Sequence, residues 1–226
     1  IGAAPMFLGH YGLALASKRA APRAGLGTLV LAGNLADCVW PVLLLLGLEK
    51  VTIVPGLMAA SDLDFESYPW SHSLLTITLL GALFGLGVWA WRKDLRSALV
   101  SGALVPAHWL LDLPFHRPDL PLWPGGPKLG FGLWNSTPVT IAAELLSLAL
   151  GVAVYLRATR ATDRTGTFAF FAMIAFMVVV FVSSVGGPPP PGPEVIAWMG
   201  LSLWLFVPWA WWIDRHRAPA AAAPVA

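Results

Sequence analysis

Apolar residues fall into six long runs, near 25–48, 72–91, 97–115, 134–156, 167–186 and 194–213, separated by short polar or Pro/Gly-rich stretches. Each run holds about the 20 residues that an α-helix needs to cross the hydrocarbon core of a bilayer. A seventh apolar stretch, 5–17, is too short to span. It predicts a re-entrant or interfacial helix, or a half-span packed against the rest. The pattern therefore predicts an all-α fold, a polytopic transmembrane helical bundle of about six spans plus a short N-terminal apolar helix. Residues 1–217 form one integral-membrane domain, and the Ala/Pro-rich stretch 218–226 reads as a disordered tail.

Composition strengthens that picture. Hydrophobic residues make up 57% of the chain, charged residues 12%, and the mean hydropathy is +0.71. Soluble domains carry about 25% charged residues. A net charge of +2 offers no basic surface for nucleic acid. The single cysteine, Cys38, can form no internal disulfide.

Charge then orients the bundle. Lys18, Arg19 and Arg23 precede the first run, Arg92, Lys93 and Arg96 follow the second, Arg157, Arg160 and Arg164 the fourth, and Arg215 and Arg217 the sixth. In a six-span arrangement these 11 of the 14 Lys and Arg lie on one side. The positive-inside rule makes that side cytoplasmic, in a multi-pass inner (plasma) membrane protein. The loops 49–71, 116–133 and 187–193 then face outward. Asp62, Asp64 and Glu66 read as a wet acidic loop, and His116 with Arg117 as a solvated loop face.

Ionisable groups inside spans are costly and usually have partners or roles. Six stand out: His10, Asp37, His72, His108, Asp112 and Glu144. In "AHWLLD", His108 and Asp112 are four residues apart and share a helix face. Such a pair can ligate one metal, or the carboxylate can orient the imidazole. With His72 and Asp37 the donor set mixes nitrogen and oxygen, which suits Zn first, with Mn or Fe as alternatives to it, over Mg or Ca. Ligand candidates are His10, Asp37, His72, His108 and Asp112; Glu144 and Asp112 are candidates for acid–base work. Plainer readings stand beside these. His108 and Asp112 can be a buried packing pair, Asp37 can bond Asn34 or a Trp indole, and His72 can help cap its helix, with Ser71 as N-cap.

The order of the pieces resembles the YdjM-like inner-membrane family of metal-dependent hydrolases. They read "FLGHYGLAL" with His10, "AGNLADCVWP" with Asp37, "YPWSHSLL" with His72, and "AHWLLDLPFHRPD" with His108 and Asp112. The resemblance covers residues 6 to about 120. It departs where the family has "PDxD" and "HRG", both absent here, so one carboxylate is missing. It implies a bound metal and hydrolysis of a phosphoester or lipid-like envelope substrate, with membrane lipids as neighbours. The alternative from a different class is a non-catalytic subunit of a larger membrane complex, or a small transporter, with the polar groups as a buried network.

Overall fold

The computed structural model describes residues 8–186 and 188–220. In chain order the helices are α1 (Leu8–Ala20), α2 (Leu26–Gly33), α3 (Leu35–Leu45), α4 (Leu74–Arg92), α5 (Leu95–Asp112), α6 (Thr137–Ala158), α7 (Arg164–Gly186), α8 (Pro193–Leu201) and α9 (Phe206–Arg215). One turn of 3₁₀-helix, Ser202–Leu205, joins α8 to α9. The strands pair in antiparallel twos: β1 (Lys50–Ile53) with β2 (Leu63–Ser67), β3 (Leu120–Pro121) with β4 (Lys128–Leu129), and β5 (Thr159–Ala161) with β6 (Arg217–Pro219). Ala218 and Pro219, expected in the tail, thus pair with Arg160 and Thr159; from residue 221 the tail lies outside the described residues.

Four helical segments are long and apolar enough to cross a bilayer: Leu74–Arg92, Thr137–Ala158, Arg164–Val185 and Pro193–Arg215. A fifth is the pair α2 and α3, if its 57° bend is counted within one span. The third expected run, α5, is not among them, although it spans 18 residues. Its composition explains this: Arg96, Ser97, Ser101, His108 and Asp112 all sit on it. Most of these face the protein; Ser97, Ser101, His108 and Asp112 are buried.

The short apolar stretch at 5–17 resolves as a helix held inside the bundle, with residues 5–7 outside the described part. Leu8, Tyr11, Ala14 and Leu15 of α1 are fully buried. Its closest partner is α6. A Cβ on Gly12 would lie 2.4 Å from the Ser147 carbonyl oxygen, so only glycine allows the two backbones to meet. The same device joins α4 to α5, where a Cβ on Gly81 would lie 2.6 Å from the Gly102 carbonyl oxygen.

Helix ends follow local chemistry. Ser73 caps α4 by accepting from Thr76 N–H, and Asp94 caps α5 by accepting from Ser97 N–H. The N-cap expected at Ser71 is therefore two residues late in the chain, and Ser71 is free for another task. Two apolar clusters fill the interior. One gathers Trp40, Phe65, Trp109 and Trp134 near the β1–β2 ribbon; the other gathers Tyr11, Leu15, Phe170 and Met173 between α1, α6, α7 and α9.

Candidate metal centre

The α2–α3 break builds the site. A continuous helix would tie the Gly33 carbonyl to the N–H of residue 37. Here the helix stops at Gly33 and restarts at Leu35, with Asn34 between. Gly33 O instead accepts a 3.0 Å hydrogen bond from Nδ1 of His108. The same break puts Asp37 in the first turn of α3, where the positive end of the helix dipole favours a carboxylate.

Five expected residues converge. His108 Nε2 is 3.2 Å from Asp112 Oδ2 and 3.7 Å from Asp37 Oδ1. His72 Nε2 is 3.4 Å from the same Asp37 Oδ1. His10 Nε2 is 3.2 Å from Asp112 Oδ1, and its ring stacks on His108 with centroids 3.8 Å apart. Two overlapping donor groups result, His10/His108/Asp112 and Asp37/His72/His108, joined at His108. Asp37 meets these imidazoles rather than Asn34 or an indole; Asn34 bonds back to the Val30 carbonyl instead.

Hydrogen bonds behind the imidazoles decide what faces inward. A carbonyl can only accept, so His108 carries a proton on Nδ1; in the doubly protonated ring Nε2 would donate to the carboxylates, and in the neutral ring it presents a lone pair. That lone pair faces two carboxylates. Among the described residues neither His108 Nε2 nor Asp112 Oδ2 has a hydrogen-bond partner, although both are buried. His72 is arranged the same way. Ser71 Oγ donates to Glu49 Oε2 at 2.6 Å, so it accepts from His72 Nδ1 at 2.7 Å. Glu49 is held in turn by the N–H groups of Trp70 and Ser71. In the neutral ring His72 Nε2 is therefore the free nitrogen, and it points at Asp37. Oriented imidazoles of this kind are what metal sites require.

The distances suit an ion. With Zn–N and Zn–O bonds of about 2.0–2.1 Å, neighbouring ligands of a tetrahedral site stand about 3.4 Å apart. The four imidazole–carboxylate separations here run from 3.2 to 3.7 Å.

Glu144 lies apart from both groups. It is fully buried on α6, and its Oε2 accepts from Gly9 N–H at 2.8 Å. It ties down the start of the helix that carries His10. The loop residues are also placed differently from expectation. His116 is buried, and its Nδ1 donates to Asp119 Oδ1 at 2.9 Å, as does Tyr68 Oη at 2.9 Å. Arg117 bridges Asp119 and Asp64. Asp62 is buried and accepts from Gly56 N–H. So Asp62, His116 and Asp119 face inward, while Glu66 is exposed and Asp64 and Arg117 are half-buried. Burial and the Asp119 carboxylate push the Tyr68 phenol well above its usual pKa, so Tyr68 remains a donor. Its ring stands 5.2 Å from that of His72, closing the site on the loop side.

Sequence reasoning missed Glu49, Ser71 and the Gly33 carbonyl. Glu49 and Ser71 are 22 residues apart, and no spacing rule links them. No protein-family profile, curated protein or solved structure matches the chain.

Proposed function

We propose that the chain is a membrane-embedded hydrolase, of the YdjM-like kind, whose His/Asp centre holds one divalent transition ion, with zinc the best fit. One observation carries this: Nε2 of His108, buried on a ring whose Nδ1 is fixed by Gly33, faces the carboxylates of Asp112 and Asp37 at ligand-to-ligand distances and is a ligand atom in the neutral ring. Buried lone pairs that converge on one another repel, and a cation relieves that repulsion. An imidazole nitrogen has one lone pair and serves one ion, so two donor groups that share His108 describe a single site. A bound divalent ion would supply Lewis acidity and a water nucleophile near neutral pH.

The residues divide the work. His108 and His72 are locked through their Nδ1 atoms, and Asp112 lies between His10 and His108. Glu144 positions the start of α1, and so His10, through Oε2, while its buried Oε1 has no hydrogen-bond partner among the described residues and remains the candidate for acid–base work. Asp37 has the most exposed side chain of the five, at 18%, and is the group that meets substrate. Its Oδ1 faces both imidazoles, which leaves Oδ2 to take a proton.

The charge pattern supports an inner-membrane protein with six crossings, α5 being the sheltered sixth, and with its basic end in the cytoplasm. The site then lies toward the outer side, within reach of phosphoesters and lipid-like envelope molecules. Elemental analysis of the detergent-purified chain tests the centre. About one transition ion per chain is expected, lost in both His72→Ala and His108→Ala. A folded sample that takes up neither Zn nor Mn on reconstitution would overturn the reading.

A further inference from the structure

The way into the centre is narrow and apolar. His10, His72, His108 and Asp112 expose 1%, 5%, 1% and 4% of their side chains. Asp37 alone among the five opens outward, into a cavity of about 210 Å³. Trp40 and Leu63 line it beside Asp37, and its outer walls are α7 and the segment Pro193–Arg215, both of a length and hydropathy that suits bilayer crossing. Phe176 and Val180 line it from α7, and Met199, Leu203 and Phe206 from the last segment. Phe176, Val180 and Met199 are also exposed on the outside of the bundle, so the mouth lies between two lipid-facing helices.

Among the described residues, the recess at the aqueous end does not reach the centre. This larger recess, of about 490 Å³, lies by the β1–β2 ribbon and is lined by Glu49, Lys50, Glu66 and Glu194. None of the five converging residues lines it. Glu49 reaches Asp37 only through Ser71 and His72, which fill the space between. A water-soluble phosphoester arriving from that side meets closed protein. A charged solute would also have to cross hydrocarbon to use the other side.

We infer that the substrate is a membrane amphiphile that enters sideways, with one apolar chain lying between α7 and the last segment and its polar head at Asp37. The apolar walls take the chain by burial, and a polar head is the only part that gains from a carboxylate at the inner end. The hydrolytic half of this statement rests on the proposed ion centre; the seat of the chain does not. Hydrolysis would add one water across the head-group ester, its hydroxyl going to the acyl or phosphoryl centre and its proton to the leaving oxygen.

The test places the protein in nanodiscs of phosphatidylethanolamine and phosphatidylglycerol containing a phospholipid with a diazirine on its acyl chain. After irradiation, labelled peptides are mapped by mass spectrometry, and metal per chain is measured on the same sample. Labelling is expected to concentrate on 171–185 and 196–206. It should fall at least fivefold in Leu203→Trp, which fills the cleft, while metal content stays the same. Met199→Trp, at the exposed mouth, is a second filling variant if the first does not fold; Leu203→Ala should retain the label. Labelling no denser there than on the lipid face of α4 around Leu79 and Leu83, and insensitive to both tryptophans, overturns the inference. Metal-loaded protein with insensitive labelling would remove the lateral cleft and leave the hydrolase reading. Metal-free protein with tryptophan-sensitive labelling would do the reverse.

Discussion

Two buried polar clusters in this molecule are built on opposite principles. At the basic end, Arg217 donates to Thr159 Oγ1, to the Thr159 carbonyl and to the Gly166 carbonyl, and its guanidinium lies over the rings of Tyr155 and Phe170. Nearby, Lys18 donates to the Ala24 carbonyl and to Asp214 at 2.6 Å. There each cation meets acceptors, and α1, α7, α9 and the β5–β6 pair are tied together. In the His/Asp centre the pattern reverses. Three imidazoles crowd two carboxylates: His72 Nε2 faces Asp37, His108 Nε2 faces both, and His10 Nε2, 3.4 Å from the His108 carbonyl, lies 3.2 Å from Asp112. A cluster whose donors and acceptors close on themselves holds a fold; one that gathers imidazoles and carboxylates at ligand distances could hold a metal ion.

That contrast can be broken by mutation. The largest effect is expected at His108, where Ala removes the donor shared by both groups. Metal affinity should fall about a thousandfold, roughly 4 kcal/mol, measured by competition with a chelating dye. A variant that keeps its metal would move the site elsewhere. Next comes Lys18→Met, which strands Asp214 beside α1 and should cost about 3 kcal/mol of stability with metal content unaltered. Chemical unfolding in detergent reads this directly, and a loss of metal would erase the distinction between the clusters.

A smaller effect is expected from Glu49→Gln. Weakening the Ser71 bridge loosens His72, so affinity should drop about 10- to 100-fold. Thermal stability without metal should change little, and an unchanged dissociation constant would reduce Glu49 to a cap on the Trp70 and Ser71 amides. The smallest shift is the sharpest test. Asp112→Asn gives His108 Nε2 an N–H donor, so the metal-free protein should be as stable as wild type, within about 1 kcal/mol, or more so. Unfolding of that variant at low denaturant would show that the pair is structural after all.

Much of the centre was legible because its members sit in apolar runs, where a His or Asp stands out. His10, Asp37, His72, His108 and Asp112 were each visible for that reason. Glu144 was visible by the same rule, yet it serves the backbone of α1. Hydrophobic context marks a residue as unusual and does not say what it faces. The loop was misread for the converse reason. Asp62 and His116 lie in polar surroundings that suggest water, and only the folding of their two loops, that of His116 over the end of α5, buries them. The six-run count blurred at α5, because Ser97, Ser101, His108 and Asp112 face protein.

The sequence by itself determined that the chain is helical and apolar enough for a bilayer, and which ionisable groups had no ordinary reason to be there. Periodicity, hydropathy and charge are local properties, and local patterns carry them. Tertiary structure alone decided which groups meet, because contacts such as that between His10 and Asp112 join separate helices. It also decided which nitrogen of His72 and of His108 faces the carboxylates. That choice belongs to a helix break at Asn34 and to a Glu49–Ser71 bridge, and no run of residues announces a hydrogen bond formed across the fold.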